Sequence, residues 1–289
     1  MGFFGSVVIV SFNSGEHLAE CLKSVAAYAP EARVVVIDNA SGDGSDRVAE
    51  ARPDQVTLHR NEVNLGFARG VNQGLARISS DLVLVLNPDC RLLPGAVELL
   101  AAELTKHPEC AIVGPQILNE DGSVQGSARG DPTLLTGLFG RSTLFTRLFP
   151  DSRLARRNVR MGATPVAGAD GLEVDWVSGA CMLARSEALK GVDGFDERYF
   201  LYWEDADVCR RLRHRGHSIR YVPSAHVVHT GGRSSRSAQA LATRAFHRSA
   251  YTYYATHVAG TRLALALAWL LLMLRCRWKL LGSYFAGRS

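Results

Sequence analysis

Leu82-Val-Leu-Val-Leu-Asn-Pro-Asp-Cys90 is the stretch that decides the fold. Five apolar residues, a strand's length, run without polar interruption and stop at a corner of turn formers that carries a carboxylate. A strand apolar on both faces belongs in a sheet covered on both sides. The same pattern occurs twice earlier in the chain: Ser6-Val-Val-Ile-Val10 leads into Ser11 and Asn13, and Val34-Val-Val-Ile37 leads into Asp38 and Asn39. Between these runs, residues 14–28 place Leu18, Cys21, Leu22 and Val25 at helical spacing, and Asn39-Ala-Ser-Gly-Asp43 can cap a second helix. A weak third strand at Val56-Thr-Leu-His59 and a helical period from Asn64 to Ile78 continue the alternation. Such alternation predicts an α/β fold with a mostly parallel sheet wrapped by helices. In open sheets of that kind ligands bind beyond the carboxyl ends of the strands, so Ser11, Asp38 and Asp89 are expected to open onto one crevice.

Charge divides the chain. No Asp or Glu follows Asp207, whereas fourteen Lys and Arg do; subtracting those fourteen from the net charge of +5 leaves −9 on residues 1–207. The cations sit beside a hydrophobic run, not among stacking aromatics, which points to an anionic membrane surface and away from nucleic acid. That run, Leu263 to Leu274, is bracketed by Arg262 and by Arg275, Arg277 and Lys279. It is short against the roughly 20 apolar residues of a transmembrane helix, so residues 258–289 are expected to form a basic, interfacial helix, with a packed core helix as the alternative. Six scattered cysteines without a Cys-x-x-Cys pair argue against a zinc site or a disulfide framework. With no basic n-region or cleavage site ahead of the first strand, the reading is a cytoplasmic protein peripherally bound to the inner face of the membrane. Residues 120–170, irregular and rich in Gly, Arg, Ser and Thr, read as a substrate-facing or mobile insertion.

Three clusters carry chemistry. Asp38 by itself reads as a cap or turn residue. Asp89 ends a buried strand, where a carboxylate is costly unless a cation neutralises it; a metal that bridges phosphates and a capped turn explain it equally well. Phe200-Leu-Tyr-Trp-Glu-Asp-Ala-Asp207 sets three acids after four bulky residues, and desolvation by Tyr202 and Trp203 would lift a carboxyl toward the range useful to a general base. Ser224-Ala-His-Val-Val-His-Thr-Gly-Gly-Arg233 offers His226, which reads as packed, and His229, the better ligand.

The corners Ser11-Phe-Asn13, Val36-Ile-Asp-Asn39, Asn64-Leu-Gly-Phe-Ala-Arg-Gly-Val-Asn72, Asn87-Pro-Asp89, Val177-Ser-Gly-Ala180, Gly194-Phe-Asp-Glu197, Trp203-Glu-Asp205 and His229-Thr-Gly231 together resemble the ordered motif series of glycosyltransferase family 2, in particular its bacterial rhamnosyltransferase and galactofuranosyltransferase-like branch. The resemblance spans about residues 6–257. It implies an inverting enzyme of GT-A fold over residues 1–257, with a nucleotide-binding half to about 115 and an acceptor half from about 116. It also implies that Asp38 hydrogen-bonds the pyrimidine, that Ser11, Asn13 and Asn39 line the nucleotide pocket with Asn87, and that Asn64, Gly66 and Asn72 border the diphosphate. Asp89 and His229 would hold Mg²⁺ or Mn²⁺, Asp205 would be the general base, and Trp176, Gly179, Ala180, Trp203 and Glu204 would shape the acceptor pocket. Many members of the family have Asp where this chain has Asn87, which makes Asp89 the anchor of the metal. The implied donor is a dTDP-linked deoxysugar such as L-rhamnose, with UDP-sugars as runners-up, and the implied acceptor is a lipid-linked saccharide or polysaccharide of cell-wall or surface-glycan synthesis. A nicotinamide dehydrogenase is disfavoured because no Gly-x-Gly-x-x-Gly follows the first strand. A nucleotidyltransferase is disfavoured by the lack of a basic glycine-rich loop there, and a non-catalytic membrane scaffold would leave the acids and His229 unexplained.

Overall fold

The computed structural model describes residues 3–52, 54–132, 171–231 and 239–286. Strands β1 (Ser6–Ser11), β2 (Arg33–Asp38), β3 (Val56–Arg60) and β4 (Leu82–Leu86) alternate with helices α1 (Gly15–Tyr28), α2 (Ser45–Glu50) and α3 (Phe67–Leu75). They are followed by β5 (Cys90–Leu92), α4 (Ala96–Lys106), β6 (Cys110–Leu118), β7 (Val124–Gln125) and β8 (Ala128–Arg129). Beyond residue 170 come β9 (Leu172–Glu173), β10 (Trp176–Val177), β11 (Cys181–Arg185), α5 (Ser186–Gly191), α6 (Glu204–His214), β12 (Ser218–His229), α7 (Gln239–His257) and α8 (Arg262–Ala286). Most of the expected insertion, residues 133–170, lies outside the described residues.

The main sheet runs β3-β2-β1-β4-β11-β6-β12-β5. Its first four strands are parallel, as the alternation predicts. Each buried run feeds both faces with period two: Val7, Ile9, Leu84 and Leu86 join the core under α1 and α4, while Val8, Val10, Val83 and Val85 join the core under α3 and α6. Helix α3 lies so close to β1 that a Cβ on Gly74 would fall 2.3 Å from a methyl of Val8.

Two antiparallel insertions make the sheet mixed and place the site. Strand β11 runs against β4, with Cys181 opposite Leu86. Its first residue therefore sits beside β4's last, which brings Gly179 and Ala180 to the crevice. Strand β5 likewise runs against β12, with Cys90 opposite His229, so two residues 139 positions apart in the chain become neighbours.

At the C-terminus the sequence suggests one helix, whereas the structure has a hairpin of two. Helix α8 packs on α7 through a seam of buried Ala268, Leu272 and Cys276. Leu263, Leu267, Leu270, Leu274, Trp278 and Leu281 are all exposed. They recur at helical intervals and form a continuous stripe away from the seam. No helix among the described residues is long and apolar enough to cross a membrane. All six cysteines are free and buried.

Candidate active site

The ends of β1 and β2 form the first wall. Ser11 and Asp38 stand side by side in register and are both buried. One Asp38 oxygen accepts the Ser41 N–H at 2.9 Å, which is the turn-capping role. The other oxygen, and the Ser11 hydroxyl, are buried with no partner among the described residues. Buried polar atoms that lack partners are costly, so this pair fits a ligand that supplies a donor and an acceptor, as a pyrimidine edge or a ribose does. Asn13 accepts the Gly42 N–H at 2.8 Å and ties the two strand-end loops together. Asn39 is wholly engaged: its amide donates to the Gly66 carbonyl at 3.0 Å and its oxygen accepts from Asn61 at 2.8 Å.

The glycine-punctuated segment forms the next wall, and its helix is shorter than expected, Phe67 to Leu75, because Asn64 and Gly66 make a turn ahead of it. The Asn64 side chain accepts the Gly66 N–H at 2.9 Å. Gly66 has φ 87°, and a Cβ there would fall 2.4 Å from the Phe200 carbonyl oxygen, so no other residue fits. The Phe67 N–H then donates to that same oxygen at 2.7 Å, which locks this turn to the acidic segment. Asn72 grips Phe195 through both backbone groups, accepting its N–H at 2.8 Å and donating to its carbonyl at 2.8 Å. Its amide thus fixes the Gly194–Phe195 loop.

Asp89, Cys90 and His229 are the described residues whose ligand atoms cluster as a metal site would require. The His229 Nε2 lies 3.3 Å from Asp89 Oδ1. Gln125 donates its amide to the carbonyls of His229, at 2.8 Å, and Asn119, at 2.6 Å, so its oxygen faces His229 Nδ1 at 2.9 Å. Nδ1 must then carry the proton, which leaves the Nε2 lone pair directed at a carboxylate oxygen. Two acceptors in contact require a proton or a cation between them, and an outer hydrogen bond of this kind is what orients a metal-binding histidine. Carboxylate and imidazole therefore fit a divalent ion. Cys90 does not: its thiol donates to the Ala180 carbonyl at 3.2 Å, and burial, with the Asp89 charge second, pushes it well above the ordinary thiol range.

The third wall begins at Tyr202 and Trp203, consecutive non-glycine residues with φ of 68° and 73°. Each costs about 1–3 kcal/mol and persists only where packing enforces it. Glu204 opens α6 fully buried. Burial, reinforced by the charge of Asp205, holds its carboxyl well above the usual range, and Oε2 has no partner among the described residues. Asp205 is half-buried; its carboxylate accepts the N–H of Gly179 at 3.0 Å and of Ala206 at 2.9 Å. The 178–180 turn is the joint of the site, because the Ala180 carbonyl also accepts the Asn87 N–H at 2.8 Å. The turn that bears Asp89 and the helix that bears Asp205 are thereby held by adjacent residues.

The acids of the cluster divide cleanly. Asp207 is fully buried and structural, bound by Arg211 Nε at 2.7 Å, His257 Nε2 at 2.7 Å and the Tyr199 hydroxyl at 3.3 Å. Trp176 is nearly buried, its indole N–H donating to the Gly130 carbonyl at 2.9 Å and its ring lying 5.1 Å from the Arg129 guanidinium. Sequence reasoning missed Gln125, which lies on a two-residue strand, and α7, whose Ser249, Tyr253 and His257 contact the acidic segment.

The profile described as Glycosyl transferase family 2 matches residues 6–162. Over 268 residues, 88% of this chain and 85% of the relative, the sequence is 34% identical to the N-acetylglucosaminyl-diphospho-decaprenol L-rhamnosyltransferase of Mycobacterium tuberculosis (strain ATCC 25618 / H37Rv). Among solved structures, GalNAc-T7 with UDP, GalNAc and Mn²⁺ superposes with a TM-score of 0.60 at 20% identity, covering 78% of this chain and 42% of that one. The Pyrobaculum calidifontis mannosyltransferase PcManGT with GDP-Man and Mn²⁺ superposes with a TM-score of 0.55 at 14% identity, covering 100% of this chain and 81% of that one. At these identities the structural likeness speaks for the fold, a mixed α/β sheet flanked by helices of the GT-A kind.

Proposed function

Because the chain belongs to glycosyltransferase family 2, we propose that this glycosyltransferase moves L-rhamnose from a dTDP-linked donor onto a hydroxyl of a lipid-linked, N-acetylglucosamine-bearing acceptor in cell-wall glycan synthesis, with inversion. The observation that carries the sugar and the acceptor is the 34% identity, over most of both chains, to an enzyme named as an N-acetylglucosaminyl-diphospho-decaprenol L-rhamnosyltransferase. The chemistry follows from the site. Asp205 removes the acceptor proton while the acceptor oxygen forms its bond to the anomeric carbon and the bond from that carbon to the diphosphate oxygen breaks; the nucleoside diphosphate leaves with the electron pair. Asp89 and His229 would hold a divalent metal, which when bound would supply positive charge toward the departing diphosphate. The imidazole in the set favours Mn²⁺ over Mg²⁺, which takes oxygen ligands. Asp38, with Ser11, receives the nucleoside; Asn13, Asn39, Asn64, Gly66, Asn72 and Asn87 shape its surroundings, several of them through the backbone they fix. Glu204, kept protonated, presents a neutral hydrogen-bonding group beside the base, and Trp176, Gly179, Ala180 and Trp203 bound the acceptor side. In this reading residues 1 to about 115 serve the donor, about 116 to 257 the acceptor, and 258–289 the membrane.

The apolar stripe of α8 has an anionic bilayer as its partner. It lies in a region with no acidic residue after Asp207, beside exposed Arg262 and Arg277, each worth about 1 kcal/mol at an anionic surface. A helix that buries its stripe there holds the enzyme at the inner face of the membrane, where a lipid-linked acceptor lies. Calorimetric binding of dTDP and UDP with and without Mn²⁺ tests the donor assignment. Metal-dependent binding of dTDP ahead of UDP is expected, and a preference for UDP would move the donor to a UDP-hexose.

A further inference from the structure

The left-handed turn at Tyr202 and Trp203 belongs to no strand or helix, and Asp205 follows it by two residues. Besides the Phe200–Phe67 clasp, what holds the turn comes from α7. The ring of Phe246 lies 5.9 Å from that of Tyr202 and 5.8 Å from that of Trp203. Tyr253 packs 5.4 Å from Trp203, and the buried Ser249 hydroxyl donates to the Leu201 carbonyl at 3.0 Å. Phe246 also faces α8, with the Arg275 guanidinium 5.9 Å from its ring, and Arg275 reaches His247 next to it at 3.2 Å. A single aromatic ring therefore stands between the C-terminal helix and the turn from which the catalytic helix starts.

We infer that Phe246 is a positioning residue for the transfer step: wedged between α8 and the left-handed turn, it fixes the direction in which α6 presents Asp205 to the acceptor. The α7–α8 hairpin is then part of the catalytic apparatus as well as the membrane-facing element. The inference rests on the assignment of Asp205 as base. A misplacement of about 1 Å by a residue remote from the chemistry can lower a rate on the order of 10²-fold, and none of the ring contacts of Phe246 involves the strand-end residues that receive the donor.

The test compares Phe246→Ala, Phe246→Tyr and Asp205→Asn in the full-length protein, with dTDP-rhamnose or a UDP-sugar as donor and N-acetylglucosaminyl-diphosphoprenol as acceptor. Phe246→Ala is expected to lower kcat roughly 10- to 100-fold while the donor KM and the calorimetric Kd for dTDP stay within about twofold, and Phe246→Tyr to restore most of the rate. Amide hydrogen exchange over residues 200–207 is expected to quicken in Phe246→Ala but not at β1 and β2. Should Phe246→Ala not fold, Ser249→Ala, which removes only the hydroxyl donor to Leu201, is expected to show the same split in rate and exchange. A folded Phe246→Ala with unchanged kcat, a loss of donor affinity in step with kcat, or unaltered exchange over 200–207 overturns the inference. Retained turnover in Asp205→Asn would instead sink the base assignment, so the two failures are told apart.

Discussion

The strand-end corner of Asp89 and His229 and the turn ahead of Asp205 are held by different forces. Asp89 and His229 are set by backbone pairing: β12 is hydrogen-bonded to β5 on one side and to β6 on the other, and the His229 side chain is then oriented by Gln125. The turn at 202–203 has no ladder. It is strained, and it is kept in place by aromatic packing from α7 and by the clasp of the Phe200 carbonyl on Phe67. A corner held by a sheet depends on side chains close to the metal, whereas a turn held by packing is exposed to changes a long way off in sequence. On the proposed reading, this is how residue 246 acts on residue 205.

Substitutions that separate the two regions sharpen this contrast. The largest effect is expected from Asp205→Asn, which should lower kcat on the order of 10²- to 10⁴-fold with metal-dependent nucleotide binding intact; if binding fell along with kcat, the two regions would not be separable. Next comes Gln125→Leu, which removes the acceptor that fixes the His229 tautomer. It should weaken Mn²⁺ binding roughly 10- to 100-fold, read from a Mn²⁺ titration of dTDP binding, and leave kcat at saturating metal close to normal. Unchanged Mn²⁺ affinity would mean that Gln125 does not orient a metal-binding His229.

The smallest effect concerns stability at the turn. Glu204 keeps its proton in the folded chain above the ordinary carboxyl value of 4.5, because of burial first and Asp205 second. Above that value the unfolded chain has lost a proton the native state still holds, so stability falls as pH rises toward the folded pKa, by up to ~1.4 kcal/mol per pH unit. Glu204→Gln keeps the shape without the titration. Its melting temperature should gain on that of the wild type as pH rises above the ordinary carboxyl value of 4.5, and a constant difference as pH rises would show that Glu204 is ionised in the fold.

How far the sequence was legible follows from how local each signal is. The strand-end corners at Ser11, Asp38 and Asp89 were readable because an uninterrupted apolar run that stops at a polar residue is a local pattern with one good structural solution, a buried parallel strand. The two-helix C-terminus was not, because residues 239–257 mix polar and apolar positions without a clear period; they become a packed helix only against α6 and α8. Asn39 and Asn72 carried the right motif signal, but the amide of each turned out to be engaged by neighbouring chain, Asn72 across more than a hundred residues.

The sequence by itself determined the α/β class, the three carboxylate-bearing or polar strand ends, the acidic cluster and the cationic, acid-free C-terminus, all of which depend on residue type and near-neighbour spacing. Only the tertiary structure decided which residues meet. It took the antiparallel insertion of β11 to bring Gly179 to Asp205 and Ala180 to Asn87, and the pairing of β12 with β5 to bring His229 to Asp89. It also took a buried seam on α8 to sort that helix's leucines into a packed side and an exposed stripe. Strand direction and helix docking are set by the free energy of burying whole faces together, a quantity distributed over the entire core, which no local window of sequence contains.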